Sequence, residues 1–92
     1  MDYTYIETEQ ALSDFLAENQ HITWMAFDTE FVGEKRFYPL LCLIQVVTEN
    51  GNYIIDPIKL KKIQPFLQLI ENENIVKITH AGDNDYRLLN NL

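Results

Sequence analysis

Asp28 and Glu30 flank Thr29 at the end of the apolar run Trp24-Met25-Ala26-Phe27. On a strand, residues two apart stand on one face. Both carboxylates would then project side by side from the strand's carboxyl end. Acids so placed repel each other unless a cation lies between them. Oxygen donors of this kind suit Mg²⁺ or Mn²⁺, and the chemistry such a site serves is metal-dependent hydrolysis of phosphodiester bonds. The bare tripeptide also reads as a solvated strand end, so the pair needs support from the rest of the chain.

A second acidic cluster, His80-Ala81-Gly82-Asp83-Asn84-Asp85, falls at a strand-to-helix turn. Asp83 is placed as a helix N-cap, and Asp85 sits where the helix dipole favours an acid. Both therefore have structural roles open to them, and His80 reads equally as a turn residue. The functional reading needs geometry: if the strand before His80 lies beside the strand of Asp28, both carboxyl ends share one sheet edge, where ligands of open α/β sheets gather. Asp85 would then face Asp28 and Glu30 across a metal site.

The elements that must position these groups follow from patterning. Tyr3 to Ile6 alternates and predicts a short edge strand. Thr8 is a candidate cap for a helix over Glu9 to Asn19, with Leu12, Phe15 and Leu16 as its apolar face. His21 falls in the turn after it. Trp24 to Phe31 is the first central strand, and Gly33 to Tyr38 is a polar loop. Leu41 to Thr48 is a second strand, apolar enough to predict cover on both faces. Asn50-Gly51 is a hairpin signal leading to a third strand, Tyr53 to Ile55, which Asp56-Pro57 ends. Lys61 to Asn72 predicts a helix with Pro65 in its first turn. Ile75 to Thr79 is a fourth strand, parallel to a neighbour after the helical crossover. Asp83 to Leu92 begins a last helix whose stripe Leu88, Leu89 and Leu92 meets the chain end without a stop signal. The expectation is that these residues are the front part of a longer domain.

At 92 residues the chain holds one domain at most, and its 47% hydrophobic content is enough to pack a core. The acidic start, MDYTYIETEQ, is not a signal peptide. The longest apolar stretch, Pro39 to Val47, is interrupted by Gln45 and too short for a bilayer. Cys42, the single cysteine, reads as a small core residue. These features predict a cytoplasmic protein with no membrane partner. The net charge of −7 argues against binding nucleic acid through a basic face. It leaves a nuclease open, because bound metals offset active-site acids. Lys35 with Arg36, and Lys59, Lys61 and Lys62, read as solvated surface.

Three stretches together resemble the ribonuclease D family: Phe27-Asp28-Thr29-Glu30-Phe31-Val32, Tyr38-Pro39-x-Leu41-x-Leu43-Ile44-Gln45, and His80-Ala81-Gly82-x-x-Asp85. Ile55-Asp56-Pro57 is similar to that family's third strand and following turn. These are 3′–5′ exonucleases of the DEDD superfamily. The resemblance implies an α/β fold, a ribonuclease H-like mixed sheet of three antiparallel strands plus a parallel strand with flanking helices, truncated before the last strand and helix. It implies that Asp28, Glu30 and Asp85 hold two divalent ions (Mg²⁺ or Mn²⁺), with Asp28 bridging both. It places Phe31, Tyr38 and Pro39 where similar proteins line the pocket of the terminal nucleotide, and His80 where it could contact a ligand or phosphate. The implied partner is a nucleic-acid 3′ end, RNA favoured over DNA, and the product a 5′-nucleotide.

One departure stands out. The family's third motif, a Tyr followed four residues later by an Asp, is absent from the 92 residues. The isolated chain is therefore expected to be inactive or nearly so. The competing reading is a catalytically dead module of the same fold that binds nucleic acid or protein; the retained Asp28, Glu30 and Asp85 count against it.

Overall fold

A computed structural model describes residues 2–32 and 40–79. Along the chain run β1 (Thr4–Ile6), α1 (Glu9–Glu18), β2 (Trp24–Val32), β3 (Leu40–Thr48), β4 (Gly51–Ile55), α2 (Pro57–Leu60), α3 (Gln64–Glu71) and β5 (Val76–Thr79). The strands form one sheet in the order β1-β4-β3-β2-β5. β3 is antiparallel to both neighbours, while β1 pairs parallel with β4 and β5 parallel with β2. This is the mixed α/β sheet expected, and the predicted edge strand at Tyr3 to Ile6 is β1, parallel to β4. The crossover through α3 returns β5 beside β2, in register Trp24↔Val76 to Phe27↔Thr79.

Local chemistry explains the elements. Thr8 caps α1 by accepting the Ala11 backbone N–H at 3.1 Å. At the other end Asn19, wholly buried, donates to the Phe15 carbonyl at 2.9 Å and accepts the Thr48 hydroxyl at 2.6 Å. A buried amide so satisfied ties the helix to the β3–β4 hairpin without a desolvation penalty. The two-residue turn of that hairpin is Glu49 and Asn50, because Thr48 pairs with Gly51. It lies one residue earlier than the Asn50-Gly51 signal predicts. Asn50 is held there by its amide, which donates to the Glu18 carbonyl at 2.8 Å.

Two further differences concern helices. Asp56 accepts from the Ile58 and Lys59 N–H groups, and Pro57 occupies the first turn, so Asp56-Pro57 starts the short α2 as well as ending β4. The helix expected from Lys61 begins instead at Gln64. Lys61 has φ +66° and ψ −35°, and the Lys62 N–H donates to the Leu60 carbonyl at 2.7 Å. That i→i+2 bond closes a γ-turn of the rare kind, which separates α2 from α3.

Helices α1 and α3 cover one face of the sheet. Leu12 and Phe15 from α1 and Phe66 and Ile70 from α3 pack on Met25, Phe27, Ile44, Val46, Tyr53 and Ile55. Phe15 meets Tyr53 edge-on at 4.7 Å between ring centroids. On the opposite face, Leu43, Gln45 and Val47 of β3 are exposed among the described residues. Among the described residues, the cover expected on both faces of β3 is present on the face that packs against α1 and α3.

Candidate active site

β2 places Asp28 and Glu30 on the open face, both exposed, while Phe27 between strand neighbours points into the core. The period of two that buries Met25 and Phe27 forces the acids outward together. Across the antiparallel pair, Asp28 lies opposite Gln45 and Glu30 opposite Leu43. On the other side, β5 ends in register with Phe27, one residue short of Asp28. The expected juxtaposition of the two carboxyl ends is thus present in the backbone.

Between Glu30 and Phe31 the register slips, Glu30 pairing with Leu43 and Phe31 with Leu41, so β3 carries one extra residue. Such a bulge bends the strand and re-aims nearby side chains, and bulges concentrate beside active sites. Asp28 Oδ1 accepts the Thr29 N–H at 3.0 Å, which orients its carboxylate. A cavity of about 140 Å³ lies over Asp28, Glu30, Leu43, Gln45 and Ile54. A second, of about 200 Å³, lies over Tyr3, Ala26, Phe27, Asp28, Gln45, Val47 and Ile78. The two meet at Asp28 and Gln45.

The site residues otherwise expected lie outside this description. Phe31 is in β2, but its side chain is not among those described, and Tyr38, Pro39, His80 and Asp85 fall outside the described residues. Among the described residues no group of three or more His, Cys, Asp or Glu side chains comes together. What is present, the exposed carboxylates of Asp28 and Glu30, supplies oxygen ligands of the kind that hard divalent cations take. The donor chemistry fits such an ion. Sequence reading passed over Gln45 as a site residue. Its signal was visible as the polar interruption of an apolar strand, but only the register shows that it faces Asp28.

Residues 3–92 match the family model described as 3′–5′ exonuclease. A curated relative, ribonuclease D of Serratia proteamaculans, is 36% identical over 91 residues, covering 99% of this chain and 24% of the relative. The crystal structure of Escherichia coli RNase D, described as an exoribonuclease involved in structured RNA processing, superposes with a TM-score of 0.90 at 32% identity. That match covers 100% of this chain and 24% of the other. The catalytic core of RRP6 from Trypanosoma brucei gives a TM-score of 0.83 at 25% identity, over 91% of this chain and 24% of that one. The fold is therefore the ribonuclease H-like arrangement of RNase D exonucleases. The chain spans about a quarter of the length of these relatives.

Proposed function

The chain belongs to the 3′–5′ exonuclease family, and from that premise we propose that residues 1–92 form the N-terminal part of an exonuclease domain that removes 5′-nucleotides from RNA 3′ ends, with DNA as the alternative polymer. The observation that carries this reading is the exposed Asp28–Glu30 pair on the open face, beside the end of β5. Asp28, Glu30 and Asp85 would hold the two divalent ions, Mg²⁺ or Mn²⁺, on which such chemistry depends. When bound, the ions supply an activated water and stabilise the leaving oxygen. Water oxygen joins the phosphorus and gives up a proton to solvent, the bond from phosphorus to the 3′ oxygen breaks, and that oxygen takes up a proton from solvent to become the new 3′ hydroxyl of the shortened strand.

The chain's own residues orient and exclude. The Thr29 N–H fixes one oxygen of Asp28. Leu43 and Ile54 give the smaller cavity an apolar wall that limits competing water. Phe31, Tyr38, Pro39 and His80 line the terminal nucleotide. The 92 residues alone are inactive, because the Tyr and Asp of the family's third motif do not occur in them. A cytoplasmic location belongs to the same proposal. No described helix is long and apolar enough to cross a membrane.

The test is a hybrid in which this chain replaces the matching segment of Escherichia coli RNase D. A folded hybrid that shortens 5′-labelled RNA stepwise from the 3′ end, only with Mg²⁺ or Mn²⁺, and loses this in Asp28→Asn supports the reading. A folded hybrid without metal-dependent trimming overturns it. Trimming by the isolated chain, abolished in Asp28→Asn, would overturn its proposed inactivity.

A further inference from the structure

Gln45 is an unusual choice for its place. Its neighbours on the same face of β3, Leu43 and Val47, are apolar, as are Ile54 across on β4 and Ile78 on β5. An exposed mid-strand position favours β-branched or aromatic residues, so the fold alone gives little reason for an amide there. The hydrogen bond it makes, from Nε2 to the Tyr3 hydroxyl at 3.4 Å, is long and exposed and adds little to stability. The strand register sets where the amide sits, directly opposite Asp28 on the boundary shared by both cavities, with the Tyr3 hydroxyl within reach of its Nε2.

The chemistry at that boundary narrows the ligand. A phosphate drawn to metals beside Asp28 and Glu30 also meets the negative charge of both carboxylates. A neutral N–H donor adds a hydrogen bond to a phosphate oxygen without adding charge that competes for the acids. A carboxamide has two N–H groups, so one can hold Tyr3 while the other faces the cavity. The smaller cavity, about 140 Å³, accommodates a phosphate with its ions. It is below the ~300 Å³ at which pockets for whole drug-sized ligands begin.

We infer that Gln45 is a substrate-binding residue whose side-chain amide donates to a phosphate oxygen of the nucleotide beside Asp28, with Tyr3 as the positioning residue that holds the amide in place. This rests on the proposed function, since it takes the ligand to be a nucleotide phosphate.

The experiment uses the ¹⁵N-labelled chain with Mg²⁺ and uridine 5′-monophosphate as the probe, followed by NMR, and Mn²⁺ affinity measured separately by electron paramagnetic resonance. The Gln45 side-chain amide signal, assigned by its loss in Gln45→Leu, should shift saturably with nucleotide. Gln45→Leu should weaken nucleotide binding about tenfold, as expected for one hydrogen bond to a charged group, and leave Mn²⁺ affinity unchanged. Tyr3→Phe should give a smaller loss, and the double variant no more loss than Gln45→Leu alone. Mn²⁺ binding with no nucleotide binding, or nucleotide affinity unchanged in Gln45→Leu, overturns the inference while leaving the metal site standing. Absence of Mn²⁺ binding overturns the functional reading beneath it as well.

Discussion

Asp28 and Glu30 are exposed on the open face of the sheet, so burial of neither side chain holds the fold together. Asp28→Asn is therefore expected to change unfolding free energy by no more than about 0.5 kcal/mol. The direction should be toward stability, because it relieves repulsion between neighbouring acids. Urea denaturation checks this, and a loss of several kcal/mol would mean the carboxylate has a structural partner. Glu49 is the contrasting acid. The Thr23 backbone N–H, and then the Thr23 hydroxyl at 2.8 Å, donate to its carboxylate and hold it below the usual glutamate range. A folded-state value below the unfolded one contributes stability above the unfolded pKa, and that contribution is lost as pH falls through the folded value. Glu49→Gln should therefore lose less thermal stability on acidification than the wild type does. Equal losses in parallel melting curves would assign the acid sensitivity to other groups.

The clearest strain at the level of elements is the γ-turn between α2 and α3. Lys61 there has φ +66°, a region that side chains other than glycine rarely adopt. Lys61→Gly should stabilise the protein by about 1 kcal/mol, the low end of the cost of such a conformation, while Lys61→Ile should destabilise it. Chemical denaturation of both variants tests the turn, and a glycine variant less stable than wild type would contradict it. The same region shows where the sequence was readable. Helix α1 and its Thr8 cap were legible because capping is a contact between residues three apart. The γ-turn was not, because nothing in Lys61 or its neighbours marks a positive φ. Asp56-Pro57 carried a helix-start signal that its strand-ending role obscured. Pairings distant in sequence, such as Thr4–Ile6 of β1 with Tyr53–Ile55 of β4, depend on tertiary packing that local patterns do not encode. The placement of Asp28 and Glu30 on one face followed from alternation alone. The bulge beside Glu30 and the position of Gln45 required the register of β3.

At the scale of the whole molecule, the described residues divide the sheet into a packed face and an open one. α1 and α3 bury Phe15, Phe66 and Ile70 against the first, which is where the stability of a small domain must come from. The second carries Asp28, Glu30 and Gln45 among exposed Leu43, Val47, Val76 and Ile78. Among the described residues the fold thus keeps its core and its candidate chemistry on opposite sides, so the acids stand on the sheet without entering the core. If Asp28 and Glu30 hold metal as proposed, the ions would offset the negative charge that a phosphate meets at this face. The central claim is that Asp28 and Glu30 hold divalent metal. Mn²⁺ titration of the chain, followed by electron paramagnetic resonance, tests it most directly against the Asp28→Asn/Glu30→Gln double variant. The account predicts saturable Mn²⁺ binding by the wild type, lost in the double variant while the fold persists. A wild-type chain that takes up no Mn²⁺, or a double variant that binds it equally well, would contradict it.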